Sequence, residues 1–242
     1  MKYKRIYLFL YLAFVLFPIW LINNLSYIKG VWGIDKISTI VDMNSGYYGF
    51  NSVLLHGSAY ILLFTLIFSK IVKENDEIVL IRFGTRKRYV ILLEEQLIGC
   101  SIKYVISLYL VNLLCCGLFI QWQQLLNSGI IFKMALFSIF IMLYYFFLGN
   151  LFLLLSYLAN SLVKGIFFAF LFGVALLWDG KAGHILKWNP LDGVIVLDDI
   201  MQGNTYKIQL LWSCIRISIM ALCIAIVFLE VFIKKDVMKA VE

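Results

Sequence analysis

Polar and ionisable side chains inside long apolar stretches are the first residues of this chain to consider for chemistry. Five of them stand out by type and position: His56, Tyr60, Tyr144, Asn150 and Arg216. Such groups are costly in an apolar surrounding, so by default they mark a path or a binding site. We expect these five to line the route of a transported molecule. For His56 and Arg216 the alternative is that the side chain reaches a nearby water interface.

An adjacent carboxylate pair, Glu94 and Glu95, is the other candidate for chemistry. It resembles the pair in intramembrane CAAX-type proteases, where an arginine and downstream histidines complete the site. Here EEQLIG lacks that arginine, and the only downstream histidine, His184, is predicted on the opposite side of the membrane. General-base catalysis needs its groups within hydrogen-bond reach. We therefore predict no catalytic residue and no enzyme, and interpret the pair as an acidic first turn that suits the helix dipole.

Nucleotide, metal and disulfide chemistry find no support in the sequence. The chain contains no GxxxxGKS/T motif and no GxGxxG after a strand, so it cannot hydrolyse ATP by a P-loop mechanism. Its five cysteines lie in apolar stretches without a CxxC spacing or a Cys/His cluster. We interpret them as small buried apolar side chains, and we predict no metal site and no cofactor on this chain.

The elements that hold these residues are predicted by composition. The 242 residues are 63% hydrophobic and 14% charged, whereas soluble domains are about 25% charged. The chain has too little polar surface to cover a soluble globule, which indicates an all-α integral membrane protein. The N-terminal MKYKR and the apolar run after it are similar to a signal peptide. The bulky PIWLINNL that follows gives no cleavage pattern, so we predict a retained span.

Six apolar stretches are long enough to cross a bilayer, which takes about 20 residues. We predict a single transmembrane domain over residues 1–242, with spans at residues 6–25, 53–71, 97–121, 130–158, 162–178 and 208–233. Two connections matter most. A charged segment at 73–96 joins the second and third spans, and a long outer loop at 179–207 precedes the last span.

The positions of lysine and arginine predict the orientation. With the N-terminus inside, thirteen of these side chains lie on the cytoplasmic side and seven on the outer side, and Lys103 lies within the third span. This bias favours both termini in the cytoplasm and explains the net charge of +7 without nucleic acid. Tryptophan agrees, because Trp20, Trp122, Trp178 and Trp212 all lie at predicted outer ends of spans, where aromatic belts form.

The outer loop at 179–207 contains the pattern of a short helix. Asn189 can cap a helix, Pro190 suits a first helical turn, and Gly203 suits a helix end. We expect a short interfacial helix before the last span. The alternative is a partly buried loop.

The charged segment Lys73–Gln96 holds ten charged residues in twenty-four. Acidic residues lead from Asp76, which suits a helix that runs to Phe83, and Gly84 then breaks that helix. We predict a short cytoplasmic helix here. The basic cluster Arg86–Arg88 follows at a position that is electrostatically poor for a helix start, which indicates an acidic contact on a partner. The alternative is a solvated loop whose apolar side rests on lipid headgroups.

A ten-residue pattern in this segment, E-I-x-L-I-R-x-G-x-R, is carried by Glu77, Ile78, Leu80, Ile81, Arg82, Gly84 and Arg86. In a six-span chain it resembles the permeases of ABC-2-type transporters, in particular small ones associated with peptide export and bacteriocin immunity in Gram-positive bacteria. In that family the segment is the coupling helix, which fits a groove in a separate P-loop ATPase. The resemblance implies that ATPase coupling falls to Asp76, Glu77, Ile78, Ile81, Arg82, Phe83, Gly84, Arg86, Lys87 and Arg88.

The resemblance also implies the assembly and the activity. Two permease chains, identical or sister chains, would bind two ATPase chains that carry ATP and magnesium, in the cytoplasmic membrane of a bacterium. The complex would export a hydrophobic or amphipathic peptide or a lipid-like molecule. The alternative is a stand-alone immunity protein that binds an antimicrobial peptide without ATP. One departure concerns the family's amphipathic helix before the first span, because only five residues precede that span here.

Small residues recur in the fifth span at Gly165, Ala169 and Gly173. A spacing of four places them on one helix face and lets another helix backbone approach closely. This face is either the contact between two permease chains or a packing face within one bundle.

Overall fold

The computed structural model describes residues 2–30, 36–44, 49–83, 86–119, 122–127, 129–181, 188–201 and 207–239. Side chains are described at most of these positions, with 2–10, 74–83, 86 and 234–239 among the exceptions. Within the described chain every regular element is an α-helix, which confirms the predicted all-α class. The helices are α1 (Lys2–Gly30), α2 (Lys36–Asn44), α3 (Val53–His56), α4 (Ala59–Phe83), α5 (Arg86–Phe119), α6 (Trp122–Asn127), α7 (Ile130–Leu158), α8 (Leu162–Lys181), α9 (Asp192–Met201) and α10 (Lys207–Lys239).

Five segments of the described chain are long and apolar enough to cross a membrane. They are Val53–Lys73, Lys87–Phe119, Ile130–Leu158, Leu162–Asp179 and Ile208–Ile233. These segments correspond to the second to sixth predicted spans, and they support a multi-pass membrane protein. The described apolar stretch of α1, Tyr11–Leu25, is shorter than these five.

Helix α7 is the centre of the bundle. It is apolar around its whole circumference, as expected for a helix that is surrounded by protein, and it packs against α4, α5, α6, α8, α9 and α10. Helix α4 also packs against α5 and α8, and α1 packs against α5. The charged and polar residues of the core are therefore held mainly by α7 and its neighbours.

The outward faces of the long helices are apolar and exposed. On α10 these include Ile208, Leu211, Ile219, Leu222 and Ile226, each of which is more than half exposed. Continuous exposed apolar faces of this kind are unfavourable in water and suit contact with lipid. The hydrogen-bonded backbone of a helix is also the form that lipid tolerates.

The bundle has two ends that differ in their connections. The elbow end holds the end of the α4 span, the end of α7 and the start of α8. It takes its name from the elbow, which we define as residues 74–88. The elbow consists of the last part of α4, the first residues of α5 and the two residues between these helices. The far end is opposite and holds the short helices α2, α3, α6 and α9.

The elbow differs from the prediction of a separate short helix. Helix α4 runs without a break from Ala59 to Phe83, so the segment predicted as that helix is the last part of α4. The predicted break at Gly84 lies outside the described residues. Helix α5 begins at Arg86, so the second half of the charged segment at 73–96 is the start of the helix that continues into the third predicted span.

The start predicted for the third span, residue 97, lies well inside α5, because charges obscure an apolar stripe at the start of this helix. Tyr89, Val90, Leu93 and Leu97 are buried at helical spacing, whereas Glu95 between them is exposed. An average over a window hides such a stripe, because it mixes the buried face with the charged face. The apolar segment that corresponds to the third predicted span therefore begins at Lys87 rather than at Leu97.

Helix α9 confirms the short helix predicted in the outer loop. It is also part of the bundle, since Leu191 and Val194 are buried and α9 packs against α7 and α10. Ile195 on the other side is exposed. The helix therefore combines a core-facing side with an outward apolar side.

Candidate functional site

The far end holds buried hydrogen-bonding side chains around α3. Ser52 caps α3, and its Oγ accepts from the backbone N–H of Leu55 at 3.4 Å. Gly57 ends α3 after one turn, and the chain then continues into α4. This interruption turns the His56 ring into the bundle, where it is fully buried.

Tyrosines surround His56 and its neighbouring backbone. Nδ1 of His56 and the hydroxyl of Tyr145 lie 2.9 Å apart. The hydroxyl of Tyr60 donates to the carbonyl of Phe50 at 2.9 Å, and that of Tyr144 donates to the carbonyl of His56 at 3.2 Å. The phenols thus satisfy buried carbonyls around α3, as backbone groups inside an apolar bundle require.

A fourth tyrosine extends this network to α5. The hydroxyl of Tyr104 donates to the carbonyl of Tyr60 at 2.9 Å, and its ring meets the ring of Tyr145 edge-on, with centroids 4.8 Å apart. We call His56, Tyr60, Tyr104, Tyr144 and Tyr145 the polar centre. All five side chains are fully buried, and together they connect α3, α4, α5 and α7.

The second ring nitrogen of His56 has no hydrogen-bond partner among the described residues. His56 lines a cavity of about 20 Å³ together with Asn51, Tyr109, Asn112 and Ser138. This volume holds about one water molecule, and the lining offers it polar partners. The polar centre contains no carboxylate, and the described residues form no cluster of three metal-ligating side chains. The hydrogen bonds of the polar centre join α3 to α7 and α4 to α5.

Of the five residues predicted to line a transport path, the structure brings three together: His56, Tyr60 and Tyr144. Their rings are neighbours, since the centroid of His56 lies 5.1 Å from that of Tyr60 and 6.5 Å from that of Tyr144. Asn150 and Arg216 lie in other places. That His56, Tyr60 and Tyr144 line a transport path stays a prediction.

Asn150 lies on α7 towards the elbow end. Its amide donates to the carbonyl of Phe146 at 3.1 Å, and it interacts with the carboxylate of Glu94 on α5. Glu95, the other member of the carboxylate pair, is exposed, and His184 lies outside the described residues. The two carboxylates thus face different surroundings, and Glu94 contributes to packing between α5 and α7.

Arg216 lies on α10 at the far end, between two tryptophans. Its guanidinium carbon is 5.3 Å from the centre of the Trp212 ring and 5.6 Å from that of Trp188, a cation–π arrangement. The chain before α9 is held by Asn189, whose amide donates to a carboxylate oxygen of Asp179 at 3.0 Å. The sequence predicted Arg216 near an interface, and its aromatic neighbours explain how the charge is accommodated.

A second hydrogen-bonded cluster was not predicted. Trp20 is fully buried, and its Nε1 donates to Oδ1 of Asn112 at 2.9 Å. Asn112 donates in turn to Asn44, and Asn44 donates to the sulfur of Cys116 at 3.6 Å. The cluster ties α1 and α2 to α5. An asparagine inside the apolar third span was the signal that could have indicated it.

The predicted ATPase-coupling residues lie mostly outside the described residues. This holds for the whole of Gly84 and for the side chains of Asp76, Glu77, Ile78, Ile81, Arg82, Phe83 and Arg86. Lys87 and Arg88 are described, and both are exposed. The backbone of the elbow is helical on both sides of residues 84 and 85, so these two cations lie in the first turn of α5.

The stripe of small residues on α8 packs within the chain. A Cβ on Gly165 would collide with Ser156 of α7, and a Cβ on Gly173 would lie 2.7 Å from the carbonyl oxygen of Gly57. Ala169 between them is fully buried. The close approach that these residues permit therefore joins α8 to α7 and to the junction of α3 and α4.

Helix α4 connects the two candidate sites, because Tyr60 of the polar centre lies near its start and the elbow lies at its end. Comparison with known proteins adds no further candidate. No protein-family model, curated protein or solved structure matches this chain significantly.

Proposed function

We propose that this chain is the permease subunit of an ATP-binding-cassette exporter of the ABC-2 type, driven by a separate P-loop ATPase that contacts the elbow. The observation that carries the proposal is the continuity of α4, from Ala59 inside the bundle to Phe83. The candidate span ends at Lys73. The remaining ten or so residues correspond to about 15 Å of helix, which exceeds one headgroup layer of roughly 5–8 Å. A partner in water can therefore contact this end of α4.

A continuous helix gives the partner a mechanical connection to the core. Movement of the elbow would be transmitted along α4 to Tyr60, whose hydroxyl holds Phe50 and whose carbonyl accepts from Tyr104. We infer that closure of the ATPase pair on ATP tilts α4 and rearranges these hydrogen bonds. Rearrangement of packed helices about such a contact is a common form of switching between two states.

We also infer six spans, with both termini and the elbow in the cytoplasm. Trp20 stacks on Phe119, with ring centroids 5.5 Å apart, so the second half of α1 lies at the far end and α1 begins at the elbow end. Phe232 near the end of α10 stacks on Tyr89 with centroids 5.7 Å apart, so α10 ends there too. The excess of lysine and arginine on this side supports a cytoplasmic location.

The exporter would work in a bacterial cytoplasmic membrane with two permease chains and two ATPase chains. Its cargo is a hydrophobic or amphipathic peptide or a lipid-like molecule. The apolar outward faces of the helices support a cargo that moves through or along lipid. The proposal assigns ATP and magnesium to the ATPase chain, because the permease sequence has no P-loop motif.

Co-purification of this chain with the products of its neighbouring genes tests the proposal. We expect a stable complex whose ATP hydrolysis responds to the permease. The double variant Arg82→Glu and Lys87→Glu places negative charge on both sides of the elbow, and we expect it to lower ATPase association at least tenfold. Lys70→Glu is the matched control, because Lys70 is exposed on α4 before the elbow and should leave association unchanged.

Two outcomes would contradict the proposal. If no ATPase co-purifies and the chain protects cells from an antimicrobial peptide without ATP, it is a stand-alone immunity protein. If the elbow variant and the Lys70 control lose the ATPase equally, the elbow is not the contact.

A further inference from the structure

The elbow end contains a cavity of about 280 Å³. It lies where α4, α5, α7 and α10 meet the turn between α7 and α8, and Tyr89, Leu93, Tyr157 and Phe232 are among its lining residues. A single water needs only about 10–15 Å³ of such volume. The cavity is therefore large enough for a chain of several carbon atoms.

The walls of this cavity are mainly aromatic. The ring of Phe232 lies 4.9 Å from that of Tyr157 and stacks on that of Tyr89, and Phe228 lies 6.2 Å from Tyr157, all measured between centroids. The polar side chains of the lining are the hydroxyl-bearing Tyr89, Ser156 and Tyr157 and the turn residues at 160–161. An apolar guest fits such walls, because it removes hydrocarbon surface from water and costs few hydrogen bonds.

Three exposed cations flank the apolar lining. Lys73 follows the lining residue Val72, Arg88 precedes Tyr89, and Lys164 comes two residues after Leu162. The three cations belong to three different helices, and long lysine and arginine side chains can reach a common point beside an apolar surface.

We propose that this cavity binds an anionic phospholipid, with one acyl chain between the aromatic walls and the phosphate on Lys73, Arg88 and Lys164. The lining residues lie at the ends of the candidate spans, which is the depth of the headgroups. A basic pocket between membrane helices at this depth is a recognised form of lipid binding. The apolar walls and the exposed cations therefore both favour a ligand that has an apolar chain and a negatively charged headgroup. The inference goes beyond the proposed function, because it requires no ATPase.

Lipid retention after reconstitution tests the site. The full chain is placed in vesicles of phosphatidylcholine and phosphatidylglycerol in equal amounts and extracted in detergent, and the lipids that remain bound are counted by native mass spectrometry. We expect about one phosphatidylglycerol per chain. A basic residue near a membrane surface strengthens binding of acidic lipid about fivefold. Replacement of Lys73, Arg88 or Lys164 by glutamine should therefore lower the amount of retained phosphatidylglycerol about fivefold in each variant.

A second pair of variants tests the cavity itself. Leu162→Trp fills it from the start of α8 and should abolish retention of phosphatidylglycerol, whereas Val163→Trp on the exposed side of α8 should leave retention unchanged. Lys70→Gln is the control for charge. Equal retention of both lipids by the native chain would overturn the proposal. So would equal losses in Val163→Trp and Leu162→Trp, or in Lys70→Gln and the three cation variants.

Discussion

At the far end, buried phenols, amides and one imidazole bind one another and the backbone, and the space between the helices is nearly filled. The polar centre leaves a cavity of about 20 Å³. The elbow end has a cavity of about 280 Å³, and Lys87 and Arg88 are exposed there. One end is therefore closed by internal contacts, whereas the other offers space and charge to other molecules.

The difference separates two tasks within one bundle. Direct hydrogen bonds between α3, α4, α5 and α7 keep these helices in one arrangement at the far end. At the elbow end, exposed cations and a larger cavity are available to bind other molecules, which we propose to be an ATPase, a lipid or both. Substitutions at the far end should consequently change stability, whereas substitutions at the elbow end should change binding.

The largest effect is expected at Gly173. An added Cβ would collide with Ile61 and lie 2.7 Å from the Gly57 carbonyl oxygen, so Gly173→Ala overpacks the far end at a cost of about 1–3 kcal/mol. Gly99→Ala is the matched control, because a Cβ there meets no atom within 4 Å. Because alanine has the higher helix propensity, Gly99→Ala should raise the free energy of unfolding by up to about 1 kcal/mol. Thermal unfolding in detergent measures both, and equal effects would show that the far end is not tightly packed.

The next largest effect is expected at Tyr145. Tyr145→Phe removes the hydroxyl that lies 2.9 Å from Nδ1 of His56. Hydrogen bonds between membrane helices contribute about 0.6–1.7 kcal/mol, and we expect a loss in this range by the same unfolding measurement. Tyr11→Phe, at a side chain that is 65% exposed, should cause no measurable change. A neutral Tyr145→Phe would mean that the polar centre contributes little to the stability of the far end.

A smaller effect is expected at Arg216. Cation–π contacts contribute about 0.5–1 kcal/mol at exposed sites, and the half-buried Arg216 lies beside two tryptophans that are more than half exposed. Arg216→Ala should therefore destabilise by about that amount and change the fluorescence from Trp188 and Trp212. Arg216→Lys keeps the charge but lacks the planar group that stacks on a ring. It should restore only part of the stability. Full rescue by lysine would show that charge, rather than the stacked geometry, is what matters.

The smallest effect on stability is expected at the elbow. Lys87→Gln in the elbow and Lys70→Gln in the preceding part of α4 each remove one exposed charge. Such surface substitutions usually change the free energy of unfolding by no more than about 0.5 kcal/mol. Unfolding temperatures in detergent should therefore be close to those of the native chain. A large loss of stability in Lys87→Gln would show that the elbow is held by internal contacts, and it would weaken the contrast between the two ends.

The sequence predicted the parts of the fold that depend on length and composition. Five predicted spans correspond to long apolar helices, and α9 lies where a cap and a proline indicated a helix. The start of α5 was missed because Glu94 and Glu95 lowered the local average, although Leu93 and Leu97 are buried. Periodicity, rather than average hydropathy, carries that information.

The candidate sites were predicted only in part, since grouping depends on which helices are neighbours. His56, Tyr60 and Tyr144 meet because α3, α4 and α7 pack together, and nothing local in the sequence specifies that packing. The burial of Trp20 has the same origin, because its partner Asn112 is distant in the chain. An asparagine within an apolar span is the feature of the sequence that indicates such a hydrogen-bond partner.

The uninterrupted course of α4 past Lys73 has a consequence for how this protein can vary. A helix turns by about 100° per residue, so one residue inserted or deleted between Val72 and Asp76 would rotate everything beyond it around the helix axis. The surface that we propose contacts the ATPase would then point in another direction, although its composition would be unchanged. Functional variants should therefore differ in length here only by steps of three or four residues, which return the surface close to its original azimuth.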